Sequence, residues 1–313
     1  MRVATDVTAV PPNKPSEIRA VPVRHRGRWV TGGFLVVLLA QLAHWIVTNP
    51  ELHWGLVRTY LFQHSILVAV THTLELTFIA MAMGIAFGMV LAVMRLSANP
   101  IVAGVAWVYI WFFRGTPVLV QLIFWYNLPT VLKAVSLGVP FGPSWFATDP
   151  KTLVTQFGAV CLGLGLNEAA YMAEIARAGI LSVDEGQSEA ASSLGMTRLM
   201  TMRRIVMPQA MRVIIPPTGN ETISMLKTTA LASVIGYAEL LYTAQIIYAR
   251  TFQTIPLLIT ASIWYLALTS ILTVGQFYLE RRFARGANRS APLTPLQRAR
   301  ERVARLQGKG ARR

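Results

Sequence analysis

This 313-residue chain has one cysteine, few charged residues and a shortage of acids. Cys161 lies in an apolar run and has no partner for an intramolecular disulfide, so a disulfide-stapled secreted fold is excluded. Charged residues make up 14% of the chain, against about 25% in soluble domains. Acids number 14 against 29 Lys and Arg, for a net charge of +15. The five histidines, His25, His44, His53, His64 and His72, show no metal-ligand spacing. A Walker-type phosphate loop, a Gly-x-Ser-x-Gly elbow and a His-Glu-x-x-His pair are all missing. Nothing here predicts hydrolytic, ATP-cleaving or metal chemistry.

What the chain has is hydrophobicity, at 54% of residues with a mean hydropathy of +0.48. Runs approaching 20 apolar residues predict an all-α polytopic membrane protein. A basic, Pro-containing tail over residues 1–30 precedes an apolar segment at Gly32–Val47, read as an added, uncleaved first span. Residues 51–65 mix Trp54, Tyr60, Arg58 and two histidines, suited to an outer interface. Further spans are expected over 67–94, 118–132, 153–180, from Pro216-Pro217 to Tyr248, and over 256–278. Residues 101–113 are aromatic and amphipathic, read as an inner-surface helix that breaks at Gly115-Thr116-Pro117. Residues 137–151, rich in Gly and Pro, read as an outer loop.

Charge placement orients these spans. With both termini inside, only Arg58, Lys133, Lys151 and Arg250 lie outside and Lys227 within a span. Every other Lys and Arg then falls on the cytoplasmic side, as the positive-inside rule requires. The location of the charge, flanking apolar spans, also argues against nucleic acid as a partner. A basic tail at 283–313 is read as solvated or resting on lipid headgroups.

One segment is not built for lipid. Glu189-Ala190-Ala191-Ser192-Ser193-Leu194-Gly195 reads as a short helix with a small apolar face and a glycine past its end. Ser182 and Ser188 are its candidate N-caps. After Gly195 and nine intervening residues comes Ile205-Val206-Met207-Pro208. This spacing resembles the EAA loop of ABC-importer permeases, with Met207 where leucine is usual. Phe113-Arg114-Gly115-Thr116-Pro117 and Gly219-Asn220-Glu221 narrow the resemblance to the polar-amino-acid permeases, the histidine/glutamine/arginine subfamily.

That resemblance implies an ABC-importer permease fold of about five core transmembrane helices over 66–282, the N-terminal helix within 31–65 being additional. It implies that the chain itself is no enzyme. A pair of ABC ATPase subunits, carrying ATP-Mg, would grip the loop through Glu189, Ala190, Ala191, Gly195, Ile205 and Pro208. A second permease, identical or homologous, and a periplasmic or extracellular solute-binding protein would complete the importer in the cell inner membrane. No cofactor is expected on this chain.

Polar residues inside spans are costly and mark pathways or helix pairs. Asn167 and Glu168 share one span; Asn220, Ser224 and Lys227 form one stripe of the next, with Glu221 and Thr228 adjacent. Together they are the candidate contacts for a zwitterion, Lys227 taking the carboxylate. Lys227 pairing with Glu221 or Glu168 to cement helices is the plainer alternative. Relatives carry Leu-Lys-Asp-Thr where this chain has Leu226-Lys227-Thr228-Thr229, and the missing acid weakens the case for a strongly cationic substrate. His72 and Glu75 are a candidate pair, as are Glu174 and Arg177. Glu239 has no assigned role. Other readings are the same architecture importing an opine or osmolyte, or an ATP-independent channel or membrane scaffold.

Overall fold

The structure, a computed structural model, describes residues 26–132, 135–138, 144–149 and 154–283. Most of both basic tails lies outside these residues. The chain divides into two compact units, Met1–Leu52 and His53–Arg313.

Among the described residues the first unit holds a 3-10 turn at Pro50–Leu52 and α1 (Arg26–Thr48), apolar and largely exposed over Trp29–Thr48. At 20 residues this stretch is long enough to cross a bilayer. The expected segment, 32–47, is shorter because the basic tail, 1–30, takes in Trp29 and Val30.

The second unit is a helical bundle. It opens with α2 (Trp54–Leu61), α3 (His64–Arg95), α4 (Pro100–Gly115) and α5 (Val118–Val131). A two-stranded antiparallel hairpin follows, β1 (Val135–Gly138) with β2 (Ser144–Thr148), where the sequence predicted only a loop. Then come α6 (Gln156–Leu181), α7 (Glu185–Ser193), α8 (Arg198–Thr201), a π turn at Met202–Val206 and α9 (Met207–Thr228). A 3-10 stretch at Thr229–Ile235, α10 (Leu240–Thr251) and α11 (Thr254–Phe283) complete it. The short α2 belongs with this bundle: the indole N–H of Trp264 on α11 donates to the Leu61 carbonyl at 2.8 Å.

Among the described residues, α1, α3 and α11 are each long and apolar enough to cross a membrane. Two bent pairs raise the count to five: α4 with α5, at 105°, and α8–α9 with α10, at 45°. The remaining expected span, α6, has 26 residues, about 39 Å at 1.5 Å per residue. It is more polar than the others because its surroundings are protein: Ala159, Leu164, Ala169 and Ala173 along it are fully buried.

The break expected at Gly115-Thr116-Pro117 is present, α4 turning through 105° into α5, and the Tyr109 hydroxyl ties α4 to α6 by donating to the Leu166 carbonyl at 2.9 Å. Two expectations are corrected. First, the long run ending at Tyr248 is interrupted between Thr228 and Leu240. Gly236 adopts φ +78°, a left-handed conformation that turns the chain. Glu239, fully buried, then caps α10 by accepting from the Leu241 and Tyr242 amides at 2.9 and 2.7 Å. The Tyr265 hydroxyl donates to the same carboxylate. Second, His72 does not pair with Glu75; its Nδ1 lies 2.8 Å from the Ala238 carbonyl oxygen and donates to it.

The bundle is organised on the contact of α3 with α6, which run in the same direction. Gly84 and Gly88, one turn apart, let the two backbones approach. A Cβ at Gly84 would come 2.4 Å from Cγ of Glu168, and one at Gly88 2.5 Å from Cβ of Met172. Gly84→Ala is therefore expected to lower stability by about 1–3 kcal/mol through overpacking. Thermal unfolding of the purified protein in detergent reads this as a lower midpoint. Gly104→Ala, at a helix-interior position with open space, should not lower the midpoint.

Candidate functional site

Two regions carry the sequence-predicted residues. The first is a cavity of about 350 Å³ between α5, α6 and α9. Asn167, Glu168, Glu221, Ser224 and Thr228 all line it, as do Tyr171, Val118 and Met225. Of the seven predicted pathway residues, five converge here. Asn220 turns the other way, its Oδ1 accepting from Gln276 Nε2 on α11 at 3.0 Å. Lys227 is exposed and stands outside the cavity lining. The stripe drawn through Asn220, Ser224 and Lys227 therefore divides: α9 presents residues 221, 224, 225 and 228 to the cavity. The role given to Lys227, holding a substrate carboxylate here, does not fit this geometry. Its alternative pairing with Glu168 or Glu221 is absent from the salt bridges of the described residues.

Glu168 is the most constrained of these groups. Only 4% of the residue is exposed, and its Oε1 is buried with no hydrogen-bond partner. Asn167 beside it is committed, donating through Nδ2 to the Phe113 carbonyl at 2.9 Å and to Gln121 Oε1 at 3.2 Å. Gln121, itself buried, donates to the Phe113 and Thr116 carbonyls and to the Thr116 hydroxyl, at 3.0, 3.1 and 2.7 Å. These two amides satisfy the carbonyls that the break before Pro117 frees, and they clamp the α4–α5 elbow to α6. Sequence reasoning missed Gln121 and Tyr171. Tyr171, four residues after Asn167, was recoverable from helical spacing; Gln121 was not, because its partners come from a bend.

The second region is the polar loop. Helix α7 forms as expected, but its N-cap is Asp184, whose Oδ1 accepts from the Gly186 amide at 2.8 Å. Ser182 instead closes α6, its hydroxyl donating to the Gly179 carbonyl, and Ser188 lies inside α7. Glu189 is accordingly mid-helix, and Glu185 is the acid of the first turn. At the other end Gly195 has φ +76°. The Met196 amide bonds the Ala191 carbonyl at 3.1 Å and the Gly195 amide bonds that of Ser192 at 3.0 Å. This is the Schellman arrangement that a C-terminal glycine permits.

Ala191 is buried against the bundle while Glu189 and Ala190 face out. Leu194 and Leu199 beside them are 82% and 78% exposed. Glu185, Ser188 and Glu189 line a groove of about 370 Å³ with Met202 and Val206. Ile205 lies in the π turn, its carbonyl accepting from Gln209 Nε2 at 3.0 Å, and Pro208 sits in the first turn of α9. The anticipated Glu174–Arg177 pair forms with two bonds, at 2.8 and 3.2 Å.

Sequence comparison identifies the architecture. The profile of the binding-protein-dependent transport system inner membrane components matches residues 84–285. The chain belongs to this family. It is a membrane permease of a transport system and not a catalytic enzyme. The permease is 48% identical over 279 residues to the arginine transport system permease protein of Corynebacterium glutamicum, covering 88% of this chain and 86% of that one. It is 38% identical over 213 residues to the nopaline transport system permease protein of Agrobacterium fabrum, covering 67% and 83%. Among solved structures, an amino acid ABC transporter with histidines superposes with a TM-score of 0.58 at 40% identity, over 70% of the permease and 94% of that chain. The methionine transporter MetNI, at 18% identity and a TM-score of 0.57 over 70% and 97%, shares the fold.

The Asp184 cap predicts a local effect. Asp184→Ala removes about 1 kcal/mol from α7. Amide hydrogen exchange over residues 185–193 should quicken about fivefold, with exchange in α6 unchanged.

Proposed function

We propose that the permease imports a cationic amino acid, such as arginine, driven by separate ABC ATPase subunits. The observation that carries this reading is the pair of carboxylates in one cavity, Glu168 and Glu221, with no lysine or arginine in its lining. An isolated buried carboxylate is costly, and the unpartnered Oε1 of Glu168 is suited to a donor brought by the substrate. The guanidinium or ammonium of the side chain meets the two acids. The α-carboxylate meets the hydroxyls of Ser224, Thr228 and Tyr171. The volume stands at the small end of ligand sites, which suits a single amino acid. Relatives named for arginine and nopaline transport support the same class of solute.

The coupling loop completes the proposal. Glu189, Ala190, Ala191, Gly195, Ile205 and Pro208 form or hold the knob that an ATPase dimer grips, and the exposed Leu194 and Leu199 widen the contact. Helix α6 runs from the cavity to this loop and α9 runs back, so closure of the ATPases on ATP-Mg moves both walls of the cavity together. Substrate enters from the outer side, delivered by a solute-binding protein, and leaves inward. A second permease copy, identical or homologous, completes the transmembrane part, with both termini cytoplasmic.

Uptake of radiolabelled arginine by the reconstituted importer tests the substrate reading. Glu168→Gln and Glu221→Gln should each lower uptake efficiency about tenfold or more, since a hydrogen bond to a charged group contributes about 1.5–3 kcal/mol. Unchanged uptake by both variants, with normal membrane insertion, would show that these acids do not read the cation.

A further inference from the structure

A second cavity, of about 490 Å³, opens where the ends of α3 and α4 meet the lower half of α6. Arg95, the last residue of α3, lines it with Arg114 of the elbow and Arg177 of α6. Glu174 is the single acid of this lining and is already engaged by two bonds to Arg177. The cavity thus carries two cationic groups in excess. Arg114 is held over the Tyr171 ring, 5.2 Å from its centroid. One wall is built by Trp107 and Trp111, one turn apart on α4, with rings stacked at 6.2 Å and 12°.

We propose that this cavity holds the phosphate of an anionic phospholipid headgroup. Guanidinium groups present paired donors that match phosphate oxygens, and several in one recess recognise that anion better than a carboxylate. The indoles of a helix resting on the inner surface, as the sequence predicts for α4, sit at headgroup depth. Basic recesses between transmembrane helices are where such headgroups lodge. The adjoining surface of α4 suits acyl chains, with Ile101, Val105 and Val108 all exposed. A second copy of the permease is a poorer occupant, because two-fold pairing of this face brings arginine against arginine. None of Arg95, Trp107 and Trp111 lines the substrate cavity, so the lipid site stands or falls separately from the substrate reading.

Native mass spectrometry of the full chain in detergent provides the test. The protein is stripped of lipid and mixed with equal amounts of phosphatidylglycerol and phosphatidylcholine of matched acyl chains. Wild-type protein should retain phosphatidylglycerol over phosphatidylcholine by about fivefold or more, and Arg95→Gln should remove about fivefold of that preference. Arg58→Gln, on α2 and away from the cavity, should leave it intact. Inorganic phosphate at millimolar concentration should not displace the lipid; displacement would overturn the lipid as source of the anion. Absence of preference in the wild-type protein overturns the proposal whether or not the variant folds. Equal loss in Arg58→Gln does so as well, by assigning the preference to overall charge.

Discussion

A helix broken inside an apolar bundle frees backbone carbonyls that lipid cannot satisfy, and this constraint shapes the centre of the permease. The break is at Thr116-Pro117, where α4 turns through 105° into α5. Gln121 and Asn167 supply the missing donors, binding the Phe113 and Thr116 carbonyls. Anchoring Asn167 to the elbow fixes the rotation of α6, and with it the direction of Glu168, the next residue. The close approach of α3 at Gly84 then leaves Glu168 no room to turn back. An electrostatic site is thus set by two neutral amides and a glycine.

The same helix connects chemistry to motion. Helix α6 carries the cavity residues Asn167, Glu168 and Tyr171, continues through the Glu174–Arg177 pair and ends against α7. The loop returns through a π turn into α9, which brings Glu221, Ser224 and Thr228 back to the cavity. Under the proposed coupling, a displacement of α7 reaches both walls of the cavity across two short turns, at residues 182–184 and 194–197. The Asp184 cap and the Gly195 turn make α7 a defined two-ended unit able to transmit such a displacement.

Much of this was legible in the sequence, and what was not has identifiable causes. Apolar runs located every long helix of the bundle, and the EAA spacing located α7 with its terminal glycine, because these signals are local. Boundaries slipped where a polar residue had two uses: Ser182 looked like a cap for α7 and closes α6 instead, while Asp184 takes the cap. Residues at i, i+4, i+7 were grouped as one stripe, which the structure divides among three surroundings. Asn220 faces Gln276 and Lys227 faces out, whereas Glu221 and Thr228, one step around the helix, face the cavity. The missing Asp after Lys227 argued against a cationic solute, but two acids line the cavity, Glu168 on α6 and Glu221 on α9. Gln121 bonds carbonyls that a bend frees five and eight residues back, and Glu239 caps a helix start inside what reads as one span, so apolar periodicity reveals neither.

The central claim is that the polar cavity is the substrate site and that the cytoplasmic loop moves its walls. Thiol labelling of Ser224→Cys in the assembled importer tests it most directly, the native Cys161 being buried. The account predicts that arginine protects the new thiol and that ATP changes its labelling rate. It also predicts that Glu189→Arg abolishes the ATP effect while sparing protection by arginine. A labelling rate indifferent to both arginine and ATP, in a complex that still imports, would contradict it.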